Sequence, residues 1–458
     1  MFPRVAGPRR LAGISLLVLL TWIVVLWIVL PYDNSLVLFM QFSSSRLAAL
    51  FRSSTDDERL VLDSPGLFPF TEEEVAYVVK TGYGTQERLP ALLEASKSIG
   101  TGTKYAEDNI LVVGDFAGKF EFQGRPIVIH DMVAAAVENE AILGATQTRD
   151  TDRMQKYRNM TAAIQNGDKE EAARYSKAVG WELDALKFIP SLQLAWKQLP
   201  GRKWYILQDD DTFMIRPSLY RFLEHLNPAE ALYLGNAIGD YKARFAHGGS
   251  SFILSNKAMS RLLDDSPQVV ADAYIASLDE TWGDRLVATT LLRVGIYLSE
   301  RYGHFFNGER PLITKLAADR ICSPLVSFHG LARPQQMKDV GKTFATIDRP
   351  VFWHDLWRIY GQPGLDAMAE RPIRAGRDHV GSKDDPVVHV HAATAEACIA
   401  ACSGLGVTCL AWTWDKASKR CAMSPWVIVG EEEPTESFSG LNVKEMMRLE
   451  SQCGRTDY

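Results

Sequence analysis

The chain has 458 residues, enough for one large domain plus a smaller one. Hydrophobic residues make up 47% and charged residues 23%, the composition of an ordinary globular protein. A net charge of -6 and a pI near 5.9 argue against nucleic acid as the main partner.

Residues 1–10 carry Arg4, Arg9 and Arg10. LAGISLLVLLTWIVVLWIVL, Leu11 to Leu30, then runs without a charge. About 20 apolar residues suffice to cross a bilayer as a helix. PYDNS follows, and Arg46 is the first later basic residue. The positive-inside rule therefore predicts a cytoplasmic tail over 1–10, a signal anchor over 11–30, and a body outside the cytosol. A cleaved signal peptide is the alternative, but the run is long for such a segment and no small-residue cleavage site follows cleanly. Asn159-Met160-Thr161 is an N-glycosylation sequon, in keeping with a lumenal body. Cys398, Cys402, Cys409, Cys421 and Cys453 crowd the C-terminus, which suits a disulfide-stapled module in an oxidising compartment.

Residues 31–70 read as a polar stem, with Ser43-Ser44-Ser45 and the run Asp56-Asp57-Glu58-Arg59. Over 71–362 apolar runs alternate with helical stretches. NILVVGDF (Asn109 to Phe116), WYILQ (Trp204 to Gln208) and LYLGNAI (Leu232 to Ile238) are strand-like. Asp184 to Gln198 and Asp284 to Val294 have helical spacing. This alternation predicts an α/β fold whose mostly parallel sheet has helices on both faces. In residues 331–362 VFWHDLWRIY is expected to pack back on that domain. Residues 363–385 read as a linker and 386–458 as a small α+β module.

Ligands in such sheets sit beyond the carboxyl ends of the strands. Asp115 and the triplet Asp209-Asp210-Asp211 lie at two such ends. Three adjacent carboxylates repel one another and lose water if buried, so a positive partner is expected. Oxygen ligands suit Mg²⁺ or Mn²⁺, which share their remaining positions with water and phosphates. The pattern fits a metal-bridged nucleotide diphosphate. It lacks the spaced ligands of an EF-hand, and an acidic turn or a helix cap at Thr212 or Pro217 is the competing reading.

Six ordered blocks resemble glycosyltransferase family 31, the Fringe and core-1 β1,3-galactosyltransferase group, and especially its fungal Fringe-like branch. They are YVVKTGYGTQERLPALL, ILVVGDF, GWELDALKFIPSLQLAWKQLPGRKWYILQDDDTFM, AHGGSSFILS, WGDRLVATTLLRVGI and LVSFHG, between Val75 and Leu331. The resemblance implies a GT-A-type fold and transfer of a hexose, with inversion, from a UDP-sugar to a glycan or glycoprotein. Asp211 and His329 would hold the metal, and imidazole with carboxylate favours Mn²⁺ over Mg²⁺. Asp209 and Asp210 would hold the donor's ribose and sugar. Thr81, Gly82 and Asp115 would line the nucleotide pocket, with Lys187 on the donor side. Gly248, Gly249 and Trp282 would face the acceptor, and Asp284 would be the base. The family often has two acids in this block where this chain has Gly283-Asp284, so Asp279 and Glu280 stay open as bases. Trp181, Trp196 and Trp204 read as core.

CIAACSGLGVTCLAWTWDKASKRCAM resembles the PAN/apple module, which implies the pairs Cys398–Cys421 and Cys402–Cys409. A bond between Cys322 and Cys453 would tie the module to the catalytic domain. A zinc site is disfavoured by the lumenal placement and irregular spacing. The resulting reading is a single-pass type II Golgi membrane glycosyltransferase with a lumenal catalytic domain, compatible with a homodimer. A catalytically inactive carbohydrate-binding or scaffold protein is the alternative, and a secreted protein is a third.

Overall fold

The computed structural model describes residues 21–22, 26, 29–62, 65–97, 109–146, 152–242, 244–381, 386–431 and 436–454. The expected anchor Leu11 to Leu30 falls largely outside these residues. Among the described residues no helix is long and apolar enough to cross a membrane.

The strands that matter for the site run in chain order as β1 (Val75–Lys80), β2 (Ile110–Gly114), β3 (Gly118–Phe122), β4 (Arg125–Asp131), β5 (Trp204–Asp209), β6 (Phe213–Met214), β7 (Tyr233–Gly235), β8 (Ala237–Ile238), β9 (Phe245–Ala246) and β10 (Phe252–Ser255). The main sheet has the order β3-β4-β2-β1-β5-β10-β7. Its centre, β4-β2-β1-β5, is parallel; β3 and β10 run antiparallel to it at the flanks, and β7 pairs antiparallel with β10. All six residues of β1 are buried. A strand apolar on both sides needs helices over both faces, and each face has its own core. Ala76, Val78, Tyr205 and Leu207 pack with the helix Ala185–Gln198 on one side. Val75, Tyr77, Trp204 and Ile206 pack with Phe222 and Phe305 on the other.

Local chemistry fixes the helix starts. Asp131 caps Met132–Val137 by accepting from the Ala134 amide at 2.8 Å, and Tyr157 donates to its other oxygen at 2.8 Å. Ser255 caps Asn256–Leu263 through the Ala258 amide at 3.1 Å.

The segment read as stem contains the helices Ser35–Ala49 and Ser54–Leu62. Val61 joins the core beside Val75 and Trp204. Asp57, 1% exposed, accepts from Ser323 Oγ at 2.8 Å and lies 2.7 Å from His304 Nε2. This acid is buried because polar partners on the domain satisfy it.

The C-terminal module is a five-stranded antiparallel sheet crossed by the helix Ala395–Ser403. Its edge strand Arg374–Ala375 lies inside the expected linker, and His379 there is fully buried. The disulfides are Cys398–Cys421, Cys402–Cys409 and Cys322–Cys453. The strand Trp426–Val427 pairs with Leu316–Ala317 of the large domain. Leu410, Val427 and Leu441 share one core with Val79, Leu89 and Phe116.

Candidate active site

The parallel register places Lys80 opposite both Val113 and Asp209, so β1, β2 and β5 end together. Beyond their ends lies a cleft of about 830 Å³. Its walls include Thr81, Gly82, Asp115, Lys187, Asp209, Asp210, Asp211, Gly248, Gly249, Trp282, Asp284 and His329. The residues expected for donor, acceptor and metal, with Asp284 among the candidate bases, therefore line one space.

Each carboxylate of the triplet has a cationic or hydroxyl partner. Asp209 Oδ1 lies 3.1 Å from Lys80 Nζ. Asp210 accepts from Thr81 Oγ1 and Thr85 Oγ1, both at 2.6 Å, and from Arg88 Nη1 at 3.1 Å. Burial pushes Asp210 up to about 6, against those hydrogen bonds and the Arg88 charge. Asp211 meets Arg88 Nη1 at 3.3 Å on one oxygen and His329 Nε2 at 3.3 Å on the other. Burial alone would raise Asp211, but His329 and Arg88 bring it below the usual carboxylate range. Burial likewise opposes charge on His329, and Asp211 more than offsets that, so its pKa rises.

Ligand atoms of Asp209, Asp211 and His329 all lie within 4.8 Å of one another. The Gly308 carbonyl sits 3.3 Å from His329 Nδ1. A proton on Nδ1 then leaves the Nε2 lone pair facing the carboxylates, the arrangement that orients metal-binding histidines. Two carboxylates and an imidazole fit Mn²⁺. Asp209 joins this cluster, although the sequence reading gave it to the donor alone.

Lys80 and Asp184 form the floor. Lys80 Nζ donates to both Asp184 oxygens at 2.7 and 2.8 Å and stands 4.6 Å above the Phe188 ring. Lys187 is 4% exposed, pairs with Asp184 at 3.0 Å and donates to the Thr81 carbonyl at 3.2 Å. It is a buried element of the cleft wall. Asp115, 1% exposed, uses Oδ1 to accept from the Tyr83 amide at 2.8 Å. Its Oδ2 has no hydrogen-bond partner among the described residues, and Lys187 Nζ stays 3.9 Å away. A buried carboxylate oxygen left bare beside a cleft is suited to receive an N–H from a ligand.

Asp284, also in the cleft lining, lies in the first turn of Gly283–Arg293. Its oxygens accept from the amides of Gly248 and Arg285, each at 2.8 Å. Burial raises Asp284 above the ordinary carboxylate range, and those two amides pull the other way. The alternative acids do not line the cleft. Glu280 is turned to the Thr281 and Trp282 amides and to Arg285. Gly283 has a packing reason: a Cβ there would overlap the buried Phe188 ring. Gly249 is constrained similarly, because a Cβ would overlap the His329 ring. Just after this turn Ser251 holds φ 69°, a strained conformation costing about 1–3 kcal/mol, of the kind found at functional sites.

Trp181 corrects the sequence reading. Trp204 is core and Trp196 is partly buried, but Trp181 is 66% exposed on the cleft rim. It sits in a turn before the helix Ala185–Gln198, where the chain passes over the surface. Lys80, Thr85, Arg88 and Asp184 went unassigned from sequence. Lys80 immediately precedes Thr81, and Asp184 begins the D-x-x-K pattern, so both were visible but had no stated role. Asn159 lies half-buried on the helix Asp152–Gln165 and accepts from Gln155 at 3.0 Å.

A Fringe-like family model matches residues 146–284. That stretch holds the triplet, Asp184, Lys187, Gly248, Gly249, Trp282 and Asp284. Thr81, Asp115 and His329 lie outside it. A human chondroitin sulfate glucuronyltransferase is 34% identical over 88 residues, 18% of this chain. The match spans 11% of that relative's length. Together the two similarities support a glycosyltransferase.

Proposed function

We propose that the protein is an inverting, divalent-cation-dependent glycosyltransferase that moves a hexose from a UDP-sugar to a glycan or glycoprotein. The observation that carries this reading is the convergence of a ligand cluster and a second acid on one cleft. Asp209, Asp211, His329 and the bare Asp115 oxygen line the same cleft as Asp284. Asp115 Oδ2 suits the imide N–H of a uracil ring. Asp209, Asp211 and His329 would hold Mn²⁺, which when bound neutralises charge developing on the diphosphate.

Inversion needs one in-line displacement at the anomeric carbon. Asp284 takes the proton from the attacking acceptor hydroxyl as the new glycosidic bond forms and the bond to UDP breaks. The Gly248 and Arg285 amides hold its carboxylate in place for that transfer. Trp181 and Trp282 offer aromatic faces at the rim for sugar rings. The β1,3 linkage and the kinship to the fungal Fringe-like branch follow from resemblance. So do a Golgi location and the PAN-like nature of the C-terminal module, whereas the type II placement rests on the charge-free run Leu11 to Leu30 and the arginines before it.

The test is a donor screen with Mn²⁺, reading UDP release and product across UDP-galactose, UDP-N-acetylglucosamine, UDP-glucose and UDP-glucuronate. One donor should support turnover. Asp284→Asn should abolish transfer while UDP affinity stays within about twofold of wild type. Retained turnover in Asp284→Asn, or lost UDP binding, would remove Asp284 as the base.

A further inference from the structure

The helix Ser35–Ala49, continued by Leu50 in α conformation, is apolar on two opposite faces. Its inner face is used: Val37 and Leu38 are buried, and Phe42 lies beneath Arg244 at 5.6 Å. Its outer face carries Leu36, Phe39, Leu47 and Leu50, which helical spacing places along one stripe. These are 43%, 54%, 58% and 78% exposed, and Phe51, next in the chain, is 82% exposed. Phe39 meets Tyr241 in a T-shaped contact at 5.8 Å and is still 54% exposed. More than half of the large apolar side chains exposed among the described residues fall between Trp22 and Leu67. A helix with apolar side chains on two opposite faces requires a cover on both.

Two observations choose the cover. Residues 35–51 contain no acid, and Arg46 is their sole charge. Leu11 to Leu30 ends only five residues before Ser35, and five extended residues reach at most about 18 Å. The helix cannot stand far from wherever that run is anchored.

We propose that the outer face of Ser35–Ala49 lies in the lipid headgroup–acyl boundary, so that the catalytic body rests against the membrane. Interfacial helices bury an apolar face about 5–10 Å deep and keep basic residues at the headgroups, as Arg46 would. This rests on the reading of Leu11 to Leu30 as a membrane anchor. Asp57 and His304 lock the following helix to the domain, so contact by this stripe also fixes which way the cleft faces.

The test uses the full chain in nanodiscs of phosphatidylcholine with phosphatidylserine. All six cysteines are in disulfides, so Leu50→Cys or Leu47→Cys gives one labelling site for an environment-sensitive fluorophore. Leu405→Cys, on the C-terminal module, serves as control. Spin-labelled lipids should quench positions 47 and 50 several-fold more than 405, with blue-shifted emission. Equal quenching at all three, with the protein retained through alkaline carbonate extraction, overturns the proposal alone. Release by carbonate overturns the anchor reading and the proposal with it. A disulfide crosslink between two copies of the Leu50→Cys variant, without lipid quenching, replaces the membrane by a second copy of the chain.

Discussion

At the scale of single residues, every acid of the triplet has a cationic or hydroxyl partner, and Arg88 is shared between Asp210 and Asp211. Lys80 faces Asp209, Arg88 with two threonine hydroxyls faces Asp210, and His329 faces Asp211. In the same cleft Asp284 is half-buried, and desolvation raises its pKa. A base with a raised pKa is protonated, and idle, over a wider acidic range. Activity should therefore fall as pH drops through a value above the ordinary carboxylate range near 4. The acid limb of kcat/KM against pH for the preferred donor and acceptor checks this, and a limb at or below pH 4 contradicts it. The triplet and Asp284 were legible because acids at the end of an apolar run and at a helix start stand out. The roles of Lys80 and Arg88 were not, because a single basic residue beside a glycine-rich turn reads as surface until the register brings it against the acids.

At the scale of elements, the site depends on β1, β5 and the helix Ala185–Gln198 being clamped together. Lys80 is the clamp, being 7% exposed, hydrogen-bonded to Asp184 and ion-paired with Asp209 at 3.1 Å. Breaking a buried ion pair from one side leaves uncompensated charge and costs roughly 3–5 kcal/mol. Lys80→Met should lose about 3 kcal/mol in urea unfolding at pH 7, and a loss below about 1 kcal/mol would show that the clamp contributes little. Asp184 gives the pH side of the same contact. Burial would raise its pKa, but Lys80 and Lys187 bring it down to about 2 from 3.8. A depressed acid contributes stability above its unfolded pKa and loses it on the way down. The contribution should be present at pH 5 and vanish between about pH 4 and pH 2. The helices Ala185–Gln198 and Gly283–Arg293 lie within a residue or so of the stretches expected from their periodicity. The stretch LYLGNAI divides into β7 and β8, because Gly235 at φ 156° ends the strand next to β10. The antiparallel pairing of β10 with β5 and β7 was not legible, since strand direction is set by long-range pairing that local pattern does not encode.

At the scale of the whole molecule, the C-terminal module is built into the large domain. Its loop donates from Gly430 to the Leu312 carbonyl at 2.8 Å, and Glu431 pairs with Arg310 at 3.2 Å. That stretch adjoins Gly308, whose carbonyl orients His329, and Glu309, whose carbonyl accepts from the His329 amide at 3.2 Å. The module thus braces the segment that holds one candidate metal ligand. Cys322–Cys453 closes this arrangement across a separation of 131 residues. Loops of that order restrict the unfolded chain by about 3–5 kcal/mol. Cys322→Ser with Cys453→Ser should lower the melting temperature by several degrees in calorimetry, and an unchanged value would mean the bond adds nothing to the shared core. The cysteine count predicted a stapled module. The merging of its core with that of the large domain was not legible, because Leu410 and Val427 look like any other buried strand residues until their neighbours are known.

The central claim is that the three carboxylates, with His329, exist to hold a cation and a nucleotide diphosphate. The most direct test is UDP affinity by titration calorimetry with and without Mn²⁺, on wild type and Asp211→Asn. Binding that requires Mn²⁺ and weakens at least tenfold in Asp211→Asn is the predicted result. UDP binding indifferent to both metal and substitution, or no binding under any condition, would contradict the account.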